Sequence, residues 1–213
     1  MKSYTGNPKF PVWLVADSEP KKWHEMLLTP LDPRHPARHN IWTSVLEYLQ
    51  EALYKQERRR FDTERLYITN AVTNPDAKPE GIRLNWSQQL QEKIGLLRTS
   101  LLHLNPKVVL TFGAFAFEFV RRAGSEEPVY PYSYWGTAQL GSEFKKRIAS
   151  YNASNTNVLP LLHVSISRGR FLESHKYFVG EEAKGLPNYF EYVGGKLADL
   201  FLQRLSAEPI WVE

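Results

Sequence analysis

The sequence predicts an α/β protein, a three-layer α/β/α sandwich around a central four-stranded parallel sheet, and three observations lead there. Four short runs rich in aliphatic and β-branched residues recur along the chain: VWLVA at 12–16, LYITN at 66–70, VVLTF at 108–112 and VLPLLH at 158–163. Their apolar side chains do not alternate cleanly with polar ones, the pattern of strands covered on both faces. Segments of helical periodicity separate the runs, and a strand, helix, strand order makes the strands parallel neighbours.

The elements follow in order. From Asn40, the positions Ile41, Val45, Leu49 and Leu53 fall four apart, and the polar face ends in the basic run Arg58–Arg60. This is the first crossover helix. After the second strand, Asn85 is read as a helix cap with Gln88 completing a capping box, and Trp86, Leu90, Ile94, Leu97, Leu101 and Leu104 form one stripe. Asn105-Pro106 stops that helix. The third strand runs into Gly113, and AFAFEFVRR continues as a helix apolar nearly all round, hence buried. A last helix from about Asn188 carries Phe190, Val193, Leu197, Leu200 and Phe201 toward the core, despite two glycines that cost roughly 1 kcal/mol each. Residues 20–39, with four prolines, and 124–157, rich in Tyr, Ser and Asn, are read as long loops. Loops of that length inside a compact domain are often functional. Arg58–Arg60 and Lys145–Arg147 are assigned to solvated faces.

Composition narrows the chemistry. At 213 residues, with 42% apolar and 23% charged, the chain is expected to form a single domain over 1–213. With no cysteine, disulfides, a thiol nucleophile, thiolate zinc sites and thiolate iron–sulfur clusters are excluded, so oxygen and nitrogen groups must do the work. The 27 basic residues are nearly balanced by 23 acidic ones; a net charge of +4 permits nucleic-acid binding without requiring it. The opening MKSYTGNPKF lacks a signal-peptide pattern and no apolar run is long enough to span a membrane, so a cytoplasmic monomer without membrane partners is expected.

In open α/β sheets ligands bind at the carboxyl ends of the strands. Here the first strand is followed by Asp17-Ser18-Glu19-Pro20, the second ends in Asn70, and the fourth ends in His163 with Ser165 just beyond. Taken singly, each has an ordinary reading: a cap, a turn residue, a core histidine. Together they place a carboxylate, an amide and an imidazole at one edge of the sheet, a combination that independent caps have no reason to supply.

These residues resemble the uracil-DNA glycosylase superfamily, particularly its bacterial and archaeal branches, over most of the chain. VWLVADSEP stands where that family has a strand ending in an acidic, proline-containing loop. LYITNAV at 66–72 is similar to its second strand, LNPKVVLTFG at 104–113 matches a helix end, strand and glycine in order and spacing, and LLHVSISRG at 161–169 resembles its His-Pro-Ser motif with Val164 in place of proline. The resemblance implies a monofunctional DNA glycosylase, a hydrolase that flips a pyrimidine from DNA and excises it to leave an abasic site, with DNA as partner and no cofactor or metal. It assigns His163 to the departing base, Asn70 and Ser18 to base binding, and Asp17 or Glu19 to water and the cationic sugar. Ile166 or Phe171 would wedge into the minor groove, while Ser165, Arg168 and Arg170 contact phosphates.

Lys21 follows Pro20 where well-known members place glycines, and some carry an aromatic that excludes C5-substituted pyrimidines. The base is therefore expected to be uracil or a C5-modified cytosine such as the glucosylated hydroxymethylcytosine of phage DNA, the latter an antiviral rather than a repair activity. Trp23, Trp42 and Phe115 are candidates to stack on it. The rival reading is a catalytically inactive glycosylase fold that binds DNA or a protein. No glycine-rich phosphate loop is present, and the histidines at 24, 35, 39, 103, 163 and 175 show no compact pairing with carboxylates, although His35 and His39 lie four apart.

Overall fold

A computed structural model describes residues 4–18, 28–30, 32, 34, 42–163, 172–180 and 188–212. Its sheet has five strands in the order β1-β3-β2-β4-β5: β1 (Tyr4–Thr5), β2 (Val12–Ala16), β3 (Tyr67–Asn70), β4 (Val108–Phe112) and β5 (Asn157–Leu161). β3, β2, β4 and β5 are parallel, with Val15 opposite Thr69 and Thr111. The expectation of a four-stranded, all-parallel sheet is corrected by β1, which adds an antiparallel edge through Tyr4 opposite Thr69. Two residues are too few to show a strand period, so nothing in the sequence marked it.

Among the described residues six helices accompany the strands: α1 (Thr43–Glu57), α2 (Gln88–Leu104), α3 (Gly113–Ala123), α4 (Thr137–Ala149), α5 (Leu172–Val179) and α6 (Tyr189–Arg204). β4 is buried along its whole length and β2 over Val12–Val15, as strands covered on both faces must be. One face meets α2 and α3, where Trp13, Val15, Tyr67 and Thr69 share a groove with Leu96, Leu97 and Phe119. The alternate side chains Val12 and Leu14 are equally buried, so the opposite face is covered too. α1 and α6 pack closely on each other, and Gly194 makes that approach possible: a Cβ there would lie 2.6 Å from the Cβ of Tyr48.

Several local expectations change. Ser87, not Asn85, caps α2, its hydroxyl accepting from the Leu90 amide at 3.4 Å. The stretch 124–157 is not one long loop, because it contains α4 and a 3₁₀ turn at Tyr132–Tyr134. Leu140 and Phe144, one helical turn apart, are buried and hold α4 against β5 and α5. Lys145–Arg147 is not simply solvated: Lys145 Nζ donates to the Val179 carbonyl at 2.7 Å, and Arg147 donates to Glu143 and Glu126 at 2.9 and 3.0 Å. In the other basic run Arg59 lies 3.8 Å above the Trp211 ring and donates to the Ser206 carbonyl. Most of 20–39, including His24, His35 and His39, lies outside the described residues, as do Asn40 and Ile41. Among the described residues no helix is long and apolar enough to cross a membrane.

Candidate active site

The strand order sets the location. From the central β2 the chain moves outward to β3, then returns past β2 to β4 on its other side, so the carboxyl ends of β2 and β4 flank a topological switch point, where open α/β sheets bind ligands. Asp17 leaves the end of β2. The parallel pairing continues one step past the strands, as the amides of Ala71 and Val72 donate to the carbonyls of Ala16 and Asp17 at 2.8 and 3.2 Å. That pairing fixes the Asp17 backbone.

Its two carboxylate oxygens differ in what they meet. The residue is 8% exposed, and Oδ2 accepts from Lys78 Nζ at 2.7 Å. Oδ1 is buried and has no hydrogen-bond partner among the described residues. Lys78 is carried there by the turn after β3: Asn74 Oδ1 accepts from the Asp76 amide at 2.9 Å, opening a 3₁₀ turn over Pro75–Ala77 that the Lys78 amide closes onto the Pro75 carbonyl. Its ammonium also lies 5.1 Å from the Phe115 ring centre and 5.7 Å from that of Tyr132, within cation–π range. Sequence reasoning missed Lys78. It stands 61 positions from Asp17 in a turn with neither periodicity nor a family motif to mark it.

His163 follows β5 and is held from two sides. The Leu162 amide donates to the buried Tyr189 hydroxyl at 2.8 Å, tying the strand end to α6. On the other side Gly113, at φ +86°, turns β4 directly into α3, and a Cβ there would lie 2.9 Å from the His163 Cβ. Glycine is needed at that position for its positive φ and for the close approach. Burial pushes the His163 imidazole below its ordinary pKa; the Asp17 carboxylate partly offsets this, and the Lys78 ammonium adds to it. At neutral pH the ring is therefore neutral, with one donor and one acceptor nitrogen. Asp17, Lys78 and His163 thus form one electrostatic group at the switch point.

Asn70 ends β3 beside Ala16, half-buried, and lines the groove of about 260 Å³ between the sheet and α2, together with Thr73 and Lys93. Ser18 is half-buried next to Asp17. Of the aromatic candidates, Trp42 and Phe115 are packed inside, whereas Tyr132, which the sequence did not single out, is half-buried near Lys78. Glu19, Trp23, Ser165, Ile166, Arg168, Arg170 and Phe171 lie outside the described residues. Among the described residues no group of three or more His, Asp or Glu could hold a metal ion.

The family model for the uracil DNA glycosylase superfamily matches residues 27–186, well over half of the chain and inclusive of Asn70, Lys78, Gly113 and His163. No curated protein matches.

Proposed function

The chain belongs to the uracil DNA glycosylase superfamily, and on that premise we propose that it flips a pyrimidine from DNA and hydrolyses its glycosidic bond, leaving an abasic site. The observation that carries this reading is the Asp17 carboxylate, with Oδ2 engaged by Lys78 and Oδ1 buried without a hydrogen-bond partner among the described residues, in the electrostatic company of His163. Base excision needs charge placed at both ends of a breaking C1′–N bond, positive character growing on the sugar and negative on the base. Asp17 supplies the first, stabilising the cationic sugar and accepting a proton from the water whose oxygen bonds to C1′. His163 supplies the second, its N–H donating to a carbonyl oxygen of the departing pyrimidine. The bond's electron pair leaves with the base, which takes up its proton from solvent.

Asn70, with donor and acceptor on one amide, reads the base edge, and Ser18 assists at the pocket wall. Glu19 is the alternative acid. Ser165, Arg168 and Arg170 grip phosphates while Ile166 or Phe171 wedges the duplex open. Flipping removes the target from the stack, as any enzyme acting on a base in duplex DNA requires. The base is uracil or a C5-modified cytosine, because the first motif, with Lys21 after Pro20, lacks the features that elsewhere exclude C5 substituents.

The test is mass spectrometry of bases released from uracil-containing, unmodified and glucosylated hydroxymethylcytosine DNA, with His163→Ala as control. Free base and abasic sites from one of the altered DNAs, lost in the variant, are expected. Release of uracil assigns a role in repair; release of the glucosylated base assigns one in defence against phage. No base from any of the three would end the reading.

A further inference from the structure

We propose that Lys78 is a positioning residue: it occupies Oδ2 of Asp17 with a single hydrogen bond and leaves Oδ1, buried and without a partner among the described residues, to orient the attacking water once DNA is bound. This deepens the glycosylase reading and rests on it.

A carboxylate free to rotate offers either oxygen to water and spends most of its time misaligned. Here one rotational position is fixed, since Oδ2 meets Lys78 Nζ at 2.7 Å and the carbonyls of Ala16 and of Asp17 itself accept from the Ala71 and Val72 amides just past β3. Lys78 is itself held at three points: the 3₁₀ turn at Pro75–Ala77, the Asp17 oxygen, and the faces of Phe115 and Tyr132. Phe115 is buried on α3, two residues past the glycine that touches His163, so the shelf beneath the ammonium is part of the same rigid turn as the histidine's support. Only a quarter of the Lys78 side chain is exposed. The segments that carry it are also braced against each other, the Ser133 amide donating to the Gly81 carbonyl at 3.0 Å.

The choice of lysine over arginine matters. An ammonium is a compact point charge that can satisfy one oxygen and leave the other, whereas a guanidinium forms two parallel hydrogen bonds to a carboxylate and would take both. The geometry therefore calls for a single-point cation. Arginine at 78 keeps the charge and the pairing yet closes the oxygen that the reaction needs.

Lys78→Arg and Lys78→Met separate positioning from plain structural support. Single-turnover excision on the DNA that the wild type cleaves is expected to fall about 10- to 100-fold in both variants, the range that loss of alignment costs. DNA affinity should stay within about 2-fold, because the groups proposed to grip phosphate are untouched. Among the described residues, Asp17 and Lys78 are the charged groups acting on His163. Its titration, followed by NMR, should therefore move to higher pH in Lys78→Met, which removes a cation, and stay near the wild-type value in Lys78→Arg. Wild-type excision by either variant would overturn the proposal, as would a loss of rate matched by an equal loss of folded protein. The NMR readout needs no substrate. If the wild type releases no base, the glycosylase reading fails by itself, and an unmoved His163 titration in Lys78→Met would then sink the placement of Lys78 independently.

Discussion

Two buried carboxylates, Glu118 and Asp17, stand in opposite conditions. Glu118, in the middle of α3, is fully buried, and both of its oxygens are doubly engaged: Oε1 accepts from Arg122 Nε and the Tyr130 amide, Oε2 from Arg121 Nη1 and the Trp135 indole, all at 2.7–3.0 Å. Asp17 has one partner on one oxygen and none among the described residues on the other. Burying a charge is tolerable only when its hydrogen-bonding capacity is met. Glu118 meets it completely and acts as a pin that fastens residues 130–135 to α3. Asp17 leaves part of its capacity unmet, which is the condition of a group with a further molecule still to bind. Degree of saturation, rather than burial, separates Glu118 from the acid proposed to react.

The largest effects come from exchanging each acid for its amide. Glu118→Gln leaves two buried guanidiniums short of a counter-charge, and loss of a buried partner costs about 3–5 kcal/mol. Denaturant unfolding should register that loss while excision per folded molecule is retained. Asp17→Asn should do the reverse, with a smaller shift in unfolding midpoint but excision reduced by about 10²–10⁴, the span attributed to a positioned acid–base group. If Glu118→Gln proved as stable as the wild type, or Asp17→Asn as active, saturation would lose its value as a criterion.

Next in size are the two supports of His163, which extend the comparison from the acid to its partner. Gly113→Ala places a Cβ against His163 on a backbone at φ +86°. The strain should cost about 1–3 kcal/mol, and a shift of the imidazole by a fraction of an ångström should slow excision by up to about 100-fold. Tyr189→Phe instead leaves the Leu162 amide buried without an acceptor, at about 1–3 kcal/mol. Its effect on rate should be smaller, because the ring still fills the same space. Melting temperature and single-turnover rates together distinguish the two. Equal rates in Gly113→Ala and the wild type would show that the histidine tolerates displacement, contrary to the proposed role.

What could be read from sequence, and what could not, divides along the same line. Asp17 and His163 were visible because strand ends are marked by where an apolar run stops, and the topology carries strand ends to one edge. Lys78 was invisible because its contact with Asp17 arises from a turn folding back toward the end of β2, which no local pattern records. Helix α4 was overlooked despite Leu140 and Phe144 at helical spacing, since Tyr130, Tyr132, Ser133 and Tyr134 before it and Tyr151–Asn157 after it read as loop. α5 was not anticipated; its eight residues span only about two turns. The position of Asn70 was legible, but not that it would line the groove toward α2.

The smallest prediction concerns the two adjacent glycines of α6, which the sequence treats alike and the structure does not. Each should weaken a helix by about 1 kcal/mol relative to alanine. At Gly194 a Cβ would meet Tyr48 Cβ at 2.6 Å and the Leu49 amide nitrogen at 2.7 Å, so the bare backbone is what lets α1 and α6 approach. At Gly195 a Cβ would meet nothing within 4 Å. Gly195→Ala should therefore stabilise the protein by about 0.5–1 kcal/mol through helix propensity alone, whereas Gly194→Ala should destabilise it by at least about 1 kcal/mol, because overpacking forces the helices apart. Both lie away from the Asp17, Lys78 and His163 group, and excision per folded molecule should not change in either. Stabilisation by both substitutions would mean that the helices can separate freely at this contact, and the close packing of α1 on α6 would cease to explain why glycine is tolerated mid-helix.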